Sequence, residues 1–193
     1  LVRQGSPPQH DAIYDQTTML RLADQVLASR TPTAIGVSFG GPVLAAAGRV
    51  ILSHHVPGWE NTPLAAQLRA RFGVPAAVAH DANAGALGEW RYGAGQGCST
   101  LLYVTVSTGI GGGWVMNGDI HDGADGMAGE IGHIVVQPGG APCVCGKSGC
   151  LEAEACGPAI ARAARLALAA RLQSRSLLLD LAGGDPETIT AVH

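Results

Sequence analysis

The sequence predicts an α/β fold, because short apolar runs typical of buried strands alternate with segments of helical periodicity. Two such runs occupy residues 34–39 and 74–80, and a third, strongly β-prone run covers residues 99–107. The chain has 193 residues, of which 47% are hydrophobic and 14% charged, so we expect it to be globular. A chain of this length can bury one large core or two small ones.

The first part of the chain predicts one helix, two strands and a loop. Residues 12–30 carry apolar side chains at helical spacing, namely Ile13, Leu20, Ala23, Val26 and Leu27. The strand at residues 34–39 should end at the Gly-Gly-Pro run that follows it. Residues 48–53 predict a short strand, and residues 54–61 predict a loop with polar and aromatic side chains.

A second helix is predicted to begin at Thr62, which would be its N-cap, with Pro63 in the first helical position. Gly73 is expected to end this helix, because glycine readily takes the left-handed conformation found there. The strand at residues 74–80 follows, and residues 81–93 then have a helical pattern. This order of elements is typical of an α/β domain.

The second half of the chain begins after a glycine-rich linker at residues 93–97. The strand at residues 99–107 leads into a glycine-rich segment, and Asn117-Gly118 predicts a hairpin turn. Residues 158–172 predict an alanine-rich helix, and a further helix is predicted to start at Pro186. Because the sequence stops just inside that helix, we expect the chain to be a fragment.

Charge and composition argue against several classes of protein. The formal net charge is −3 and basic residues are scattered, which argues against a nucleic-acid or anionic-membrane surface. No apolar run approaches the roughly 18 residues of a membrane span, and the first residues show no signal peptide. Five cysteines, an odd and clustered set, do not resemble a secreted disulfide framework, so the predicted compartment is the cytoplasm.

Three cysteines fall within the eight-residue stretch CVCGKSGC, which raises the alternatives of a disulfide, a redox pair and a metal site. A Cys-X-Cys pair is poorly spaced for an unstrained disulfide and lacks the two-residue gap of thioredoxin-like motifs. One imidazole and three thiolates make a closed tetrahedral zinc site, which is structural because no position stays open for water. The predicted ligands are His133, Cys143, Cys145 and Cys150. Cys98 and Cys156 have no such neighbours and are predicted to be small buried hydrophobic residues.

The segment STGIGGG at residues 107–113 has two interpretations. Backbone N–H groups freed by glycine, together with two hydroxyls, would make a phosphate cradle. The segment is neither a Walker A loop nor a dinucleotide-binding fingerprint, since a β-prone segment follows it. The other interpretation is a plain glycine-rich β-turn.

Acidic residues are the candidates for acid–base chemistry. Asp81 directly follows a buried strand and starts a helix, so it is either an N-cap or a reactive group at a strand's carboxyl end. Glu130, Glu152 and Glu154 lie on either side of the cysteine cluster. Each of these glutamates could equally be a solvated surface residue.

Together, the motifs HDANAGALGE, STGIGGG, NGDIHDGADGMAGEIGH and CVCGKSGCLE resemble those of the ROK family in order and spacing. This family contains bacterial sugar kinases and sugar-responsive repressors, and the resemblance covers most of residues 32–165. It implies an actin/hexokinase-like (ribonuclease H-like) fold of two lobes, incomplete at both ends. We expect residues 1–98 to form a small lobe with the sugar loop and Asp81. Residues 99–193 would form part of a large lobe with the phosphate loop and the zinc site.

The resemblance also implies roles for single residues. Asp81 matches the general base that takes the proton of the sugar hydroxyl as it attacks the γ-phosphate of ATP, which is bound with Mg²⁺. Thr108 and Gly109 match a phosphate-binding segment. The residues implied in sugar binding are His55, Asn83, Glu130, His133 and Glu152. His133 would place one ring nitrogen on zinc and leave the other toward the sugar.

The chain also departs from the family pattern. The family's kinases begin with an Asp-X-Gly-Gly-Thr strand and turn that binds ATP phosphates and magnesium, and this motif is absent here. His80 and His55 occupy positions where many members have asparagine. Histidine keeps the capacity to hydrogen-bond but changes its geometry, so the choice of sugar stays open.

Three functions are compatible with these motifs. The first is an ATP-dependent hexose or N-acetylhexosamine kinase, favoured by Asp81 and the intact STGIGGG segment. The second is the sugar-sensing effector domain of a ROK-type repressor, which is not an enzyme and needs no catalytic aspartate. The third is a zinc-stabilised sugar-binding domain without catalysis. The resemblance further implies a homodimer, and this chain itself is not expected to bind nucleic acid.

Overall fold

The computed structural model describes residues 1–53, 55–170 and 176–190. Its first part contains the elements α1 (Ala12–Leu27), β1 (Ile35–Phe39), β2 (Val43–Leu44), β3 (Arg49–Val50), α2 (Leu64–Phe72), β4 (Ala76–His80) and α3 (Asp81–Tyr92). Its second part contains β5 (Thr100–Val106), β6 (Ile110–Met116), β7 (Asp119–Ile120), α4 (Leu151–Ala155), α5 (Gly157–Ala169) and α6 (Leu177–Leu181). Single 3₁₀ turns occur at Ala45–Ala47, Ile131–His133 and Pro186–Thr188. Strands and helices alternate in the first part, which confirms the predicted α/β class.

Helix α1 begins where a side chain caps it. The Asp11 carboxylate accepts the Tyr14 backbone N–H at 2.8 Å, which satisfies one of the free donors of the first turn. The helix was expected to continue to residue 30 but ends at Leu27, because Ala28 takes a positive φ of 50°. Its N–H still closes onto the Asp24 carbonyl at 2.9 Å.

Strands β1 and β4 pair in parallel, and α2 lies between them in the chain. The register runs from Ile35 opposite Ala76 to Phe39 opposite His80, so both strands finish at the same edge. This register brings the residues after β1 beside the first residue of α3. Parallel α/β sheets commonly place their chemistry at this edge.

Two predictions for the first part were wrong in detail. The strand expected at residues 48–53 is only Arg49–Val50, because the Ile51 N–H instead bonds to the Pro42 carbonyl at 2.9 Å. Helix α2 begins one residue later than predicted, with Pro63 as its N-cap and no side-chain capping bond from Thr62. Gly73 ends α2 in the left-handed conformation, with φ at 71°, as expected.

Strands β2 and β3 pair antiparallel in a small two-stranded sheet. A larger antiparallel sheet, hereafter the second sheet, has the order β5-β6-β7. Asn117 and Gly118 have φ values of 52° and 92° between β6 and β7, which confirms the predicted hairpin turn. Gly111, Gly112 and Gly113 lie inside β6 rather than in a loop. The missing side chains of Gly111 and Gly113 let the first turn of α3 approach the strand, since a Cβ on Gly113 would lie 2.4 Å from the Ala82 carbonyl oxygen.

The described residues form three apolar clusters. One cluster joins α1, α2, β1 and β4 around Trp59, Leu64, Leu68 and Val78. A second cluster packs β6 against α5 through Ile110, Ile131, Cys156 and Ala159, and a third joins α5 to Ala182 and Ile189. Cys156 is buried as predicted, whereas the expectation for Cys98 was wrong, because this cysteine is exposed. No helix in the described ranges is long and apolar enough to cross a membrane.

The predicted carboxyl-terminal helices are present in shorter form. The helix expected at residues 158–172 is α5, which ends at Ala169; residues 171 and 172 lie outside the described residues. The helix expected to begin at Pro186 is a single 3₁₀ turn, Pro186–Thr188. Residue 54 of the predicted loop and residues 191–193 also lie outside the described residues.

Candidate active site and metal centre

Asp81 is the first residue of α3, at the carboxyl end of β4. The N-cap position belongs to His80, so the N-cap interpretation of Asp81 does not hold. One carboxylate oxygen accepts the Ala82 N–H at 2.7 Å and lies 3.4 Å from His80 Nε2. The other oxygen faces Gly40, where a Cβ would lie 3.7 Å away, and the side chain is 54% exposed. An acid this accessible can exchange a proton with a bound molecule.

Asn83 lies two residues further into α3 and is only 5% exposed. Its Nδ2 donates to Asp122 Oδ1 at 2.8 Å, whereas its buried Oδ1 has no hydrogen-bond partner within the described part of the chain. The sequence analysis missed Asp122, because the two residues are 39 positions apart and no local pattern links them. The bond ties the first turn of α3 to the segment that leads to Glu130.

Glu130 directly precedes the 3₁₀ turn Ile131–His133, and His133 is the last residue of that turn. The turn brings the two side chains together. Glu130 Oε2 lies 3.7 Å from His133 Nε2. The other ring nitrogen, Nδ1, lies 3.5 Å from the Cys143 sulfur. His133 thus presents one nitrogen to the cysteine cluster and the other to a carboxylate.

Glu152 projects from α4 toward the start of β6. Its Oε2 accepts the Ile110 N–H at 2.9 Å and lies where a Cβ on Gly109 would clash with it, at 2.5 Å. The Glu152 Cβ would also be 3.3 Å from a Cβ on Gly132. The structure therefore brings Glu152 together with Gly109 and with the turn between Glu130 and His133.

The turn between β5 and β6 contains Thr108 and Gly109. It closes with a hydrogen bond from the Ser107 N–H to the Gly109 carbonyl at 2.8 Å. The Ser107 carbonyl in turn accepts the Gly157 N–H at 2.8 Å, so the amino-terminal end of α5 packs against the turn. Exposed Thr108 beside a helix N-terminus is an arrangement suited to an anion. The glycine pattern alone did not indicate this helix.

His55 is exposed in the loop between β3 and α2. Its backbone N–H lies 3.4 Å from Ser53 Oγ. Within the described residues, no hydrogen bond joins it to the other candidate residues.

The four predicted metal ligands do come together. One ligand atom each from His133, Cys143, Cys145 and Cys150 lies within 4.8 Å of the others. The Cys145 and Cys150 sulfurs are 3.6 Å apart. Zinc–sulfur bonds of about 2.3 Å and a zinc–nitrogen bond of about 2.0 Å give tetrahedron edges of about 3.5–3.8 Å. The observed 3.5 Å and 3.6 Å edges and the donor chemistry fit zinc.

The backbone around the cysteines folds into a tight knuckle. The Cys143 N–H bonds to the Lys147 carbonyl at 2.8 Å, and the Gly146 N–H returns to the Cys143 carbonyl at 3.0 Å. Gly149 has a φ of 77°, and a Cβ there would overlap the Gln137 carbonyl oxygen at 1.6 Å. Only glycine fits this position, which orients Cys150 toward the other sulfurs.

The cysteines of the knuckle differ in acidity. Burial, with smaller contributions from hydrogen bonds to Cys145 and Cys143, raises the pKa of the Cys150 thiol to about 12. A backbone hydrogen bond from Lys147 lowers the pKa of Cys145 below its usual value. Because thiolates are the metal ligands, a bound cation must displace the Cys150 proton.

Solved structures show which class of protein this fold belongs to. A ROK family glucokinase from Streptomyces griseus, in complex with glucose and AMPPNP, superposes with a TM-score of 0.79 at 33% identity. The alignment covers 97% of this chain and 59% of the glucokinase chain. A ROK hexokinase from Thermus thermophilus superposes with a TM-score of 0.71 at 35% identity. The chain is thus part of an α/β protein of the actin/hexokinase-like fold.

The ROK family model matches residues 10–193, so the chain belongs to the ROK family. A glucokinase from Halalkalibacterium halodurans is 48% identical over 132 residues, covering 67% of this chain and 40% of that protein. A putative xylose repressor from Caldicellulosiruptor is 38% identical over 136 residues, covering 68% of this chain and 34% of that protein. The chain spans about half the length of the curated relatives it matches.

Proposed function

We propose that this chain belongs to an ATP-dependent sugar kinase that phosphorylates a hexose or an N-acetylhexosamine. The observation that carries the proposal is the position of Asp81. Its half-exposed carboxylate begins α3 at the edge where β1 and β4 both end. The similarity to glucokinases and to a kanosamine kinase from Amycolatopsis mediterranei, 42% identical over 161 residues, supports this class of reaction.

Asp81 would act as the general base. A sugar hydroxyl attacks the γ-phosphorus of ATP, its proton passes to the Asp81 carboxylate, and the bond from the γ-phosphorus to the β–γ bridging oxygen breaks to leave ADP. Phosphoryl transfer depends mainly on positioning and on charge stabilisation. The Asp81 carboxylate is well positioned, because the Ala82 N–H and His80 hold one of its oxygens while the other faces Gly40.

The sugar would be held by residues gathered around the start of β6. A carboxylate can accept two hydroxyl hydrogen bonds in a chosen geometry, which suits Glu130 and Glu152. His133 would bind through Nε2, which already faces Glu130 at 3.7 Å. His55 would reach the sugar from its exposed loop, and the buried Asn83 would contribute from beneath Asp81.

ATP, bound with Mg²⁺, would place its phosphates at the turn that carries Thr108 and Gly109. Two features support this placement. The Thr108 side chain is exposed, and the amino-terminal end of α5 packs against the turn through Gly157. The macrodipole of α5 favours an anion near this end of the helix, although the Gly157 N–H itself is bonded to Ser107.

Zinc would be structural, held by His133, Cys143, Cys145 and Cys150. Four protein ligands close a tetrahedral site and leave no position for water. The ion supplies no chemistry to the reaction; it fixes the conformation of the knuckle. Since Cys150 directly precedes α4, the same knuckle also sets the position of Glu152.

The arrangement of lobes and subunits belongs to the same proposal. Residues 1–98 would form the lobe that carries Asp81, and residues 99–193 the part of the second lobe that carries the sugar-binding carboxylates. The sugar would bind between them. The homodimer and the cytoplasmic location stay predictions from the sequence.

Replacement of Asp81 by asparagine tests the kinase. In the complete gene product, D81N should lower kcat for sugar phosphorylation by on the order of 10²–10⁴-fold, because the amide cannot take the proton. The sugar dissociation constant should change much less. The matched control is D119N, which alters an exposed acid on β7 and should keep wild-type turnover. Undiminished turnover in D81N would disprove the mechanism.

A sugar-sensing repressor domain is the second candidate, because two relatives point to it. One is the xylose repressor from Caldicellulosiruptor, and the other is a ROK family transcriptional regulator whose structure superposes with a TM-score of 0.75 at 30% identity. Calorimetry with glucose, mannose, their N-acetyl amines and xylose separates the candidates. Binding without any ATP-dependent turnover would favour the sensor.

A further inference from the structure

The loop of residues 55–61, hereafter the sugar loop, carries His55 and is fixed at both ends. At its far end, Arg49 donates to the Asn61 carbonyl at 2.6 Å and to its side-chain oxygen at 3.1 Å. At its near end, the Val56 N–H bonds to Ser53 Oγ at 3.2 Å. The middle of the loop packs on α1. The contacts at its two ends and with α1 together fix the position of the loop.

The sugar loop packs on the first turn of α1. The Ala12 N–H donates to the Pro57 carbonyl at 3.0 Å, and Ala12 is only 1% exposed. A Cβ on Gly58 would lie 3.3 Å from the Ala12 Cβ, so backbone and helix touch directly. Two consecutive residues of the loop therefore pack on a single helix residue.

Asp15 supplies the polar part of this contact. Its Oδ2 accepts the Trp59 indole N–H at 3.3 Å, across 44 positions of sequence. Its Oδ1 lies 3.4 Å from both His10 Nε2 and Ser6 Oγ. Trp59 is 4% exposed, and a buried indole N–H is costly to leave without an acceptor, so this carboxylate stabilises the position of the ring.

Trp59 also connects the loop with the catalytic edge. Its ring packs edge-on against Phe39, with centroids 4.9 Å apart and planes at 67°. Phe39 is the last residue of β1 and pairs with His80, the neighbour of Asp81. A shift of the indole would move the sugar loop relative to the edge that carries the carboxylate.

We propose that Asp15 is a positioning residue for sugar binding, which holds the Trp59 indole and thereby sets the sugar loop against the end of β1. Asp15 does not touch the substrate; it acts through Trp59. This inference rests on the proposed sugar-kinase function. It adds α1 to the elements that determine how tightly the sugar binds.

The test uses two variants in the complete gene product. W59F removes the indole N–H and keeps an aromatic ring on Phe39, and D15A removes the acceptor. Each should raise KM for the sugar by about tenfold, the effect of losing one hydrogen bond to a charged group, while KM for ATP stays unchanged. The double variant should be no worse than D15A, because both changes remove the same contact.

The matched control is D24A. Asp24 lies on the same helix and pairs with Arg71 of α2 at 2.9 Å, so it fixes α1 without touching the sugar loop. D24A should leave the sugar KM at the wild-type value. An unchanged sugar KM in W59F, an equal rise in D24A, or a parallel rise in the ATP KM would each overturn the inference. Absence of sugar phosphorylation in the wild type would instead count against the proposed function.

Discussion

Gly113 lies in the middle of β6, directly against the backbone of α3. A Cβ at this position would approach the Ala82 carbonyl oxygen to 2.4 Å and the Ala86 Cβ to 2.8 Å. The neighbouring Gly112 admits the Ile131 side chain in the same way. The glycine run that suggests a phosphate loop in the sequence thus serves mainly to bring α3, with Asp81 at its start, onto the second sheet.

Substitution of Gly113 by alanine should therefore be costly. We expect G113A to destabilise the chain by about 2 kcal/mol or more, because the clash is with backbone and cannot be relieved by a side-chain rotation. The control is G36A in β1, where a Cβ meets nothing within 4 Å. Urea unfolding of both variants measures the difference, and equal midpoints would contradict the close packing of α3 on β6.

The metal ligands and Asp81 have a local signal in the sequence, whereas the roles of the other site residues follow only from the resemblance to the ROK family. His133 and the three cysteines fall within 18 positions at ligand-like spacing, and Asp81 follows a strand pattern directly. Asp122 and Asp15 escaped the analysis because their partners, Asn83 and Trp59, are 39 and 44 positions away. An acidic residue without a neighbouring motif looks like any solvated side chain until the fold is known.

Helix α4 is only five residues long, yet it connects two functional segments. Glu152 binds the Ile110 N–H at the start of β6, and Glu154 binds the Ala141 N–H of the cysteine knuckle at 2.6 Å. The Leu151 N–H bonds to the Ile134 carbonyl at 2.9 Å. Too short to be stable alone, this helix depends on the knuckle for its position.

The metal site beside α4 can be tested by measuring bound zinc. Elemental mass spectrometry should find about one zinc ion per molecule of the purified chain. The variant C145S should lose most of this zinc, because it lacks one of the four ligands. C145S should also unfold at lower temperature. The control is C98S, which replaces an exposed cysteine outside the ligand set. Equal zinc content in C98S and C145S would refute the ligand assignment.

Sequence periodicity predicted the longer elements well, whereas it failed where hydrogen bonds between distant segments decide the ends. Helix α2 has nine residues and was found within one residue, because its apolar positions recur at helical spacing. The strand expected at residues 48–53 has two residues. Its two residues pair with the equally short β2, and the Val50 and Ile51 N–H groups bond to the Thr62 and Pro42 carbonyls, so the ladder does not continue.

At the scale of the whole chain, α3 contacts two regions, the parallel pair β1–β4 and the antiparallel sheet β5-β6-β7. Its first turn follows β4 directly, and its buried residues Ala82 and Ala86 face β6. Gly85 of α3 makes a similarly close contact with β5, since a Cβ on Gly85 would lie 2.9 Å from the Tyr103 ring. Because α3 directly follows β4, its detachment from the second sheet would also disturb the parallel pair of β1 and β4.

We therefore expect the two regions to unfold as one cooperative unit. In native-state hydrogen exchange, peptides from β4 and from β5–β6 should open with the same free energy, because α3 directly follows β4 and packs Ala82 and Ala86 on β6. G113A supplies the perturbation, since it acts only where α3 meets β6 and should lower protection in both sets of peptides equally. If β4 kept its wild-type protection in G113A while β5 and β6 lost theirs, the regions would be energetically separate, and α3 would belong to the first alone.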